Sequence, residues 1–148
     1  MSLRDLYQEV IIDHSKKPRN FRAQPEAARK VEGYNPLCGD KLMLYVDLED
    51  NRVKDVSFEG SGCAISTASA SIMTQVLKGK TMQEADAIIS GFQKLVTGEP
   101  QTEGDPDLGK LEVFAGVCEF PSRVKCAILS WHTMRTALKG EERVVSTE

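Results

Sequence analysis

Four cysteines are the residues of this chain whose types and spacing best suit chemistry. They lie at Cys38, Cys63, Cys118 and Cys126, with separations of 25, 55 and 8 residues. No two of them form the Cys-x-x-Cys pair of a zinc ribbon or of a thioredoxin motif. Spacing alone therefore leaves metal binding, thiol chemistry and simple burial all open.

The predicted positions of three cysteines say more than their spacing. Cys63 follows Gly60-Ser61-Gly62 and directly precedes a helical pattern, and Cys126 lies in the first turns of another predicted helix. A helix N-terminus carries about half a positive charge and unpaired N–H groups, which favour a thiolate over a thiol. Cys38 lies in a loop with Asp40 two residues later, so a sulfur and a carboxylate oxygen can face one centre.

A tetrahedral zinc ion is the metal that three thiolates and one carboxylate would satisfy. With Zn²⁺ this donor set has a net charge of about −2, which is unfavourable in a partly buried site. Arg123 and Lys125, which flank Cys126, are well placed to offset that charge. The alternative is that each cysteine is an ordinary small buried residue, the commoner fate of an isolated free cysteine. This alternative suits Cys118 best, because its surrounding segment is apolar.

Hydrophobic periodicity predicts that one α+β domain, spanning residues 1–148, positions these side chains. A period of two predicts a hairpin over Lys41–Phe58, and a weaker pattern near Lys30–Tyr34 predicts a strand before it. We expect a small antiparallel sheet of about three strands packed against a layer of helices, and a frayed tail over residues 141–148. Helical spacing covers Leu3–Ser15, Ala64–Lys78, Thr81–Val96, a short set at Leu111–Phe120, and Pro121–Gly140.

Local signals indicate where two of these helices begin. Thr81-Met82-Gln83-Glu84 is a capping box, and Pro121 suits the first position of a helix. The small residues over Ala64–Ser71 would let another backbone approach that helix closely. The stretch Thr97–Lys110 is rich in glycine, proline and acidic residues, which predicts a polar surface loop.

The charge balance argues against nucleic acid as a partner. The chain has 19 Lys and Arg against 22 Asp and Glu, a net charge of −3, so no basic excess is present to release counterions. The longest apolar runs are only a few residues, which predicts no membrane-spanning helix. The first residues, Met1–Leu6, mix in charge and lack the apolar core of a signal peptide. We therefore expect a soluble, cytoplasmic protein with neither a nucleic-acid nor a membrane partner.

The two histidines give no sign of hydrolytic chemistry. Neither His14 nor His132 lies in a nucleophile–base arrangement that can be recognised from the sequence. His14 ends the first predicted helix, where a cation gains from the helix dipole, so a capping role is expected for it. His132 is expected to be a surface or boundary residue.

Three motifs in the same order make this chain resemble the U-type iron–sulfur cluster assembly proteins, over about residues 3–140. These motifs, with the N-terminal segments that also match, are Cys38-Gly39-Asp40, Gly60–Ser66, Phe120–Ala127, Leu6-Tyr7, Ile12–Ser15 and Lys17–Phe21. Within the family the chain is similar to the SufU branch rather than the IscU branch. Lys125 stands where IscU proteins carry a histidine, and about Ser90–Leu111 is an insertion that they lack. The Leu-Pro-Pro-Val-Lys chaperone-recognition motif is also missing.

The resemblance implies a zinc-binding partner of a pyridoxal-phosphate-dependent, SufS-like cysteine desulfurase, rather than a stand-alone enzyme. Such a protein takes up persulfide sulfur and passes it on, by way of a downstream scaffold, for cluster assembly. By motif, the zinc ligands would be Cys38, Asp40, Cys63 and Cys126, whereas Cys118 matches no ligand position.

Within that ligand set, Cys38 is expected to be the persulfide acceptor, because a loop ligand can leave a metal with less disruption than a helix-anchored one. Asp40 would hold the metal meanwhile, and Arg123 and Lys125 would give electrostatic support. Two alternatives stay open. The chain could be a scaffold that binds iron or an iron–sulfur cluster transiently through the same thiolates, or a binding module with a purely structural zinc.

Overall fold

A computed structural model describes residues 3–100, 102–141 and 144–147. The strands are β1 (Arg29–Asn35), β2 (Asp40–Glu49), β3 (Arg52–Ser61) and β4 (Val145–Ser146). The helices are α1 (Leu3–Lys16), α2 (Ala64–Leu77), α3 (Met82–Thr97) and α4 (Pro121–Leu138), with a 3₁₀ helix over Gly109–Glu119. This order confirms the predicted α+β class. Within the described ranges, no helix is both long and apolar enough to cross a membrane.

The sheet has four strands in the order β3-β2-β1-β4, where about three were predicted. The first three strands are antiparallel neighbours, and β2 and β3 are joined by a tight turn at Asp50 and Asn51, both with positive φ. The predicted alternation is correct on the inner face, where Leu42, Leu44 and Val46 are buried. The weakly predicted strand before the hairpin is β1, which places the β1–β2 turn beside the helices.

The additional strand lies within the segment that was predicted to be a frayed tail. Val145 is buried and pairs in parallel with Gly33 of β1, and the Thr147 backbone N–H donates to the Tyr34 carbonyl at 3.2 Å. A strand of two residues is too short to show a hydrophobic period of two. It forms because the edge of β1 has backbone groups free to pair with it, not because of a pattern in its own sequence. The rest of that prediction, at residues 142, 143 and 148, lies outside the described residues.

The helices pack on one another through the predicted run of small residues in α2. Ala68, Ser69 and Ala70 are buried, and Ser69 Oγ donates to the Ala127 carbonyl of α4 at 2.5 Å. Trp131 Nε1 donates to the same Ser69 Oγ at 2.9 Å. The Trp131 ring stacks on Phe92 of α3 with centroids 4.3 Å apart. This core fixes the N-terminal ends of α2 and α4, where two of the cysteines lie.

Both predicted helix starts are confirmed. Thr81 and Glu84 form the reciprocal capping box of α3, and Pro121 is the first residue of α4. The loop after α3 is exposed for most of its length and is held by Asp105, which accepts from the Thr102 backbone N–H and pairs with Lys94. It leads into the 3₁₀ helix, which lies where a short helical segment was predicted.

His14 is fully buried, so the predicted role as a cationic cap is wrong. Its Nδ1 lies 2.7 Å from Ser71 Oγ on α2, and its Nε2 lies 2.6 Å from Lys110 Nζ. A protonated lysine amine can only donate, so Nε2 accepts and Nδ1 carries the proton. Burial, together with the charges of Lys110 and Arg19, lowers the pKa of His14 to about 4. His14 does not cap its helix because α2 and the 3₁₀ helix, which are distant in the sequence, enclose its side chain.

This buried histidine predicts a loss of stability in acid. The pKa of His14 is about 4 in the folded chain against 6.5 ordinarily. The neutral side chain therefore makes its full contribution to the free energy of unfolding above pH 6.5, and this contribution is lost as pH falls toward 4. The full difference corresponds to about 3 kcal/mol. Between pH 7.5 and 4.5, urea titrations should show the native chain losing about 2 kcal/mol more than His14→Gln. Identical pH dependence in the two proteins would contradict the assignment.

Candidate metal centre

Cys38 lies at the tip of the tight turn that joins β1 to β2. The Gly39 backbone N–H donates to the Asn35 carbonyl at 2.8 Å, which closes the turn, and Gly39 has a φ of +74° that favours glycine. Cys38 is exposed. The loop position predicted for it is therefore confirmed, and the residue lies at the protein surface.

Asp40, the first residue of β2, is completely buried beneath that turn. Its Oδ1 accepts from the Cys63 backbone N–H at 2.8 Å, and its Oδ2 lies 3.8 Å from Cys63 Sγ. Gly62 makes room for this carboxylate, since a Cβ at that position would lie 2.8 Å from Asp40 Oδ1. The two predicted motifs are thus joined by one buried carboxylate.

The other two candidate ligands lie near helix N-termini. Cys63 is the N-cap of α2, and its Sγ accepts from the Ser66 backbone N–H at 3.4 Å. Cys126 lies in the second turn of α4 and is buried. Its Sγ is 3.3 Å from Cys38 Sγ. All four cysteines of the chain are free thiols, so this short contact is not a disulfide.

Three of the candidate donor atoms lie close enough together to share one tetrahedral metal ion. The candidate ligand atoms of Cys38, Asp40 and Cys126 all lie within 4.8 Å of one another. Ligands at zinc–sulfur and zinc–oxygen bond lengths around a tetrahedral ion are about 3.3–3.8 Å apart. Cys63 stands outside this group of three, but its sulfur is 3.8 Å from Asp40 Oδ2. The residues therefore fit a zinc ion, with three donors together and the fourth beside them.

The electrostatics of the cluster also favour a cation. Burial raises the pKa of the Cys126 thiol far above its ordinary value, and the neighbouring Asp40 carboxylate and Cys38 sulfur raise it further. Asp40 and the cysteine sulfurs therefore converge where ionised groups would repel one another and water cannot fully screen them. A divalent cation at this point would compensate their charge, and thiolate sulfur with one carboxylate oxygen is a donor set that suits zinc.

Asn35 is a part of the site that the sequence interpretation missed. It ends β1, is completely buried, and donates through Nδ2 to Cys126 Sγ at 3.5 Å. Its Oδ1 accepts from the Leu37 backbone N–H at 3.2 Å. Its place three residues before Cys38 in the same loop was the available signal, but its partner lies 91 residues away.

Among the described residues, the side chains of the two predicted electrostatic supports form no hydrogen bond or ion pair with the cysteine cluster. Arg123 is exposed, with its guanidinium carbon 4.7 Å from the centre of the Phe120 ring. Lys125 is half-buried, and in the described part of the chain neither side chain forms an ion pair. Both belong to the first turns of α4, so any effect on the site would act over a distance.

Cys118 stands apart from the cluster, although it is less buried than the core position predicted for it. Its side chain is half-buried in the 3₁₀ helix, and its Sγ donates to the Ala115 carbonyl at 3.4 Å. The 3₁₀ helix turns Val117 inward and leaves Cys118 at the boundary, beside Gly98. Cys118 therefore offers a free thiol that can serve as an internal control.

The close approach at Gly62 predicts the effect of a single methyl group. Gly62→Ala would force the Asp40 carboxylate away from the Cys63 N–H, because the new Cβ and Oδ1 cannot remain 2.8 Å apart. We expect zinc affinity to fall about 10- to 100-fold, the range for lost support of a ligand. Competition with a chromogenic chelator measures this, and Gly116→Ala, which has open space, is the matched control. Unchanged affinity would contradict the role of Asp40.

Comparison with known proteins gives consistent matches. Residues 6–127 match the NifU-like N-terminal domain. The chain is 41% identical to the zinc-dependent sulfurtransferase SufU of Bacillus subtilis, covering 95% of each protein. It is 39% identical to the iron–sulfur cluster assembly scaffold protein IscU of Streptococcus pyogenes, covering 93% of this chain and 85% of the relative.

A solved structure extends the likeness to the fold. The crystal structure of a protein assigned as an iron–sulfur cluster assembly scaffold for the SUF system of Fervidobacterium islandicum superposes with a TM-score of 0.83 at 36% identity. The match covers 93% of this chain and 99% of that one. The β1–β2 turn and the starts of α2 and α4, which carry the cluster, fall within the region that matches the domain family.

Proposed function

Since this chain belongs to the NifU-like N-terminal domain family, whose relatives include iron–sulfur cluster assembly proteins, we propose that it is a zinc-bound acceptor of persulfide sulfur. The sulfur would come from a cysteine desulfurase and pass on to cluster biogenesis. The observation that carries the proposal is the pairing of one exposed sulfur, Cys38, with one buried sulfur, Cys126, at 3.3 Å. One thiolate can react while the other stays in place.

The zinc ligands in this proposal are Cys38, Asp40, Cys63 and Cys126. The spacing of the first, second and fourth supports them directly, and Cys63, whose Sγ lies 3.8 Å from Asp40 Oδ2, would complete the set. Bound zinc would hold these thiols as thiolates at neutral pH. Asp40 keeps its orientation through the Cys63 N–H, so its carboxylate stays fixed when an exposed ligand moves.

The acceptor in this proposal is Cys38. Its thiolate attacks the terminal sulfur of a cysteine persulfide on the desulfurase. A sulfur–sulfur bond forms on Cys38, the sulfur–sulfur bond of the donor breaks, and the electron pair leaves with the desulfurase cysteine as its thiolate. No external oxidant or reductant is needed, because the transferred sulfur keeps its oxidation state.

Arg123 and Lys125 would act in this scheme as the nearest cations on α4. In the part of the chain that the structure describes, neither side chain forms a hydrogen bond or an ion pair with a candidate ligand. We therefore assign them long-range support of the negative charge on the ligand sulfurs and on the incoming persulfide. The desulfurase would carry pyridoxal phosphate and resemble SufS, and a separate scaffold would receive the sulfur. A reducing, cytoplasmic setting suits four free thiols.

The test is to incubate the zinc-loaded chain with a cysteine desulfurase and cysteine and to locate the added sulfur by peptide mass spectrometry. We expect one additional sulfur atom on the peptide that contains Cys38. Addition to Cys118 alone, or no addition, would contradict the proposal.

A scaffold role is the second candidate, because relatives such as the IscU protein of Streptococcus pyogenes are named scaffolds at a similar level of identity. The same thiolates can bind iron. Anaerobic reconstitution with iron and sulfide distinguishes the two. A stable, coloured cluster that transfers to an apo-protein would favour the scaffold, whereas tightly held, colourless zinc would favour the sulfur acceptor. A chelator that unfolds the chain, together with full sulfur uptake by Cys38→Ala, would instead favour a purely structural zinc.

A further inference from the structure

Asn35 is the only completely buried side-chain amide that contacts the cysteine cluster among the described residues. A buried amide has to satisfy both of its ends. The Leu37 backbone N–H approaches one end, which must therefore be the oxygen, and so the nitrogen faces Cys126 Sγ. The hydrogen-bond pattern leaves one orientation of the amide, with an N–H directed at the buried sulfur.

The sulfurs of Cys38 and Cys126 differ in the hydrogen bonds that they receive. Cys126 Sγ receives the Asn35 N–H at 3.5 Å, whereas in the described part of the chain no N–H group reaches Cys38 Sγ. A hydrogen bond to a coordinated sulfur stabilises its negative charge and fixes its direction. At the other end, the Asn35 oxygen holds the Leu37 N–H and so anchors the base of the turn that carries Cys38.

We propose that Asn35 is a positioning residue that makes Cys126 the permanent sulfur ligand of the site and leaves Cys38 as the labile one. The inference rests on the proposed function in that it assigns the two thiolates different tasks during sulfur uptake. Asn35 acts through Cys126 and the β1–β2 turn and touches no reactant itself. The Asn35 side chain thereby holds the Cys126 sulfur in place and also fixes the base of the turn that carries Cys38.

The test uses Asn35→Asp, which keeps an oxygen for the Leu37 N–H but sets a carboxylate oxygen against Cys126 Sγ. The matched control is Asn20→Asp, because the Asn20 amide donates to Thr74 Oγ1 at 2.9 Å away from the cluster. Two readouts use the chain loaded with zinc alone. One is the rate of zinc release to a chromogenic chelator, and the other is the rate of iodoacetamide alkylation at each cysteine.

In the native chain and in Asn20→Asp we expect Cys38 to be alkylated well before Cys126. In Asn35→Asp we expect zinc release and Cys126 alkylation to accelerate about 10-fold or more, so that the order of the two cysteines is lost. A merely structural role would speed the alkylation of Cys38, Cys63 and Cys126 alike. Rates equal to those of the control, or a uniform increase at all three cysteines, would overturn the proposal.

If Asn35→Asp fails to fold, Asn35→Ala decides the question, because it removes the N–H without adding a charge. We expect selective acceleration at Cys126 there too, and no selectivity would overturn the inference. Neither readout involves a desulfurase. If the chain takes up no sulfur but its alkylation order still depends on Asn35, the proposed function alone is refuted. If sulfur uptake is normal but the Asn35 variants alkylate like the control, only this inference is refuted.

Discussion

Cys38→Ala is expected to lower sulfur uptake from a cysteine desulfurase at least about 100-fold while leaving the fold intact, since it removes the proposed nucleophile. Cys38 is exposed at the tip of a turn, so replacing it disturbs no packing. Cys63 is also exposed, but its sulfur is engaged by the Ser66 N–H and anchored to the start of α2. Cys126 is buried. Neither can substitute for Cys38 without moving a helix.

The matched control for this variant is Cys118→Ala, which removes a free thiol outside the cluster. We expect it to accept sulfur at the native rate. The measurement is the initial rate of radiolabelled sulfur transfer from cysteine in the presence of the desulfurase, with zinc content determined on the same samples. Native-level transfer to Cys38→Ala, with sulfur found on Cys63 or Cys126, would assign the acceptor to a different cysteine.

The parts of the fold that the sequence predicted correctly are those that depend on near neighbours. The Thr81–Glu84 capping box is a bond between residues three positions apart, and Pro121 suits a helix start because its ring fixes φ. Alternation in β2 reports burial on one face of a strand. Each of these signals is contained within a few residues, so it can be read without knowledge of the packing.

The parts that failed depend on residues far apart in the chain. His14 lies at the end of α1, which predicts a helix cap, but α2 and the 3₁₀ helix enclose its side chain. Its partners there are Ser71, 57 residues away, and Lys110, 96 residues away. The strand β4 exists because the edge of β1 was free to pair with it. Neither the burial of a side chain nor the pairing of a two-residue strand is recorded in local periodicity.

The candidate metal centre was predictable from the sequence only in part. Its ligand candidates could be named because the Cys-Gly-Asp turn and the helix-start cysteines each have a local signature, and the family resemblance linked them. The geometry could not be predicted, since it depends on Gly62 admitting a carboxylate and on Asn35 reaching across to α4. Sequence patterns named candidate donors, whereas the structure shows which of these residues are exposed and which are buried.

Because Cys126 is buried and Cys38 is exposed, we expect Cys126→Ala to lower the zinc affinity more than Cys38→Ala does. Structural zinc sites in small domains contribute about 10–16 kcal/mol in total, so one of four ligands accounts for about 3 kcal/mol, or about 100-fold in affinity. Cys126 is buried and bonded to Asn35, and no water can easily replace its sulfur, so we expect a loss of about 1,000-fold. The Cys38→Ala variant, where water can take the vacated position, is expected to lose only about 10-fold.

Competition titrations against a chromogenic chelator measure both values, with Cys118→Ala as the unchanged reference. Alanine tolerates the helical position of Cys126, so far-UV circular dichroism of the metal-free variant should match that of the native chain. Loss of zinc with the helices retained then follows from the missing thiolate rather than from unfolding. If Cys126→Ala binds zinc as tightly as Cys38→Ala does, the buried sulfur is not the anchor, and the division of the pair into a held and a reactive thiolate is wrong.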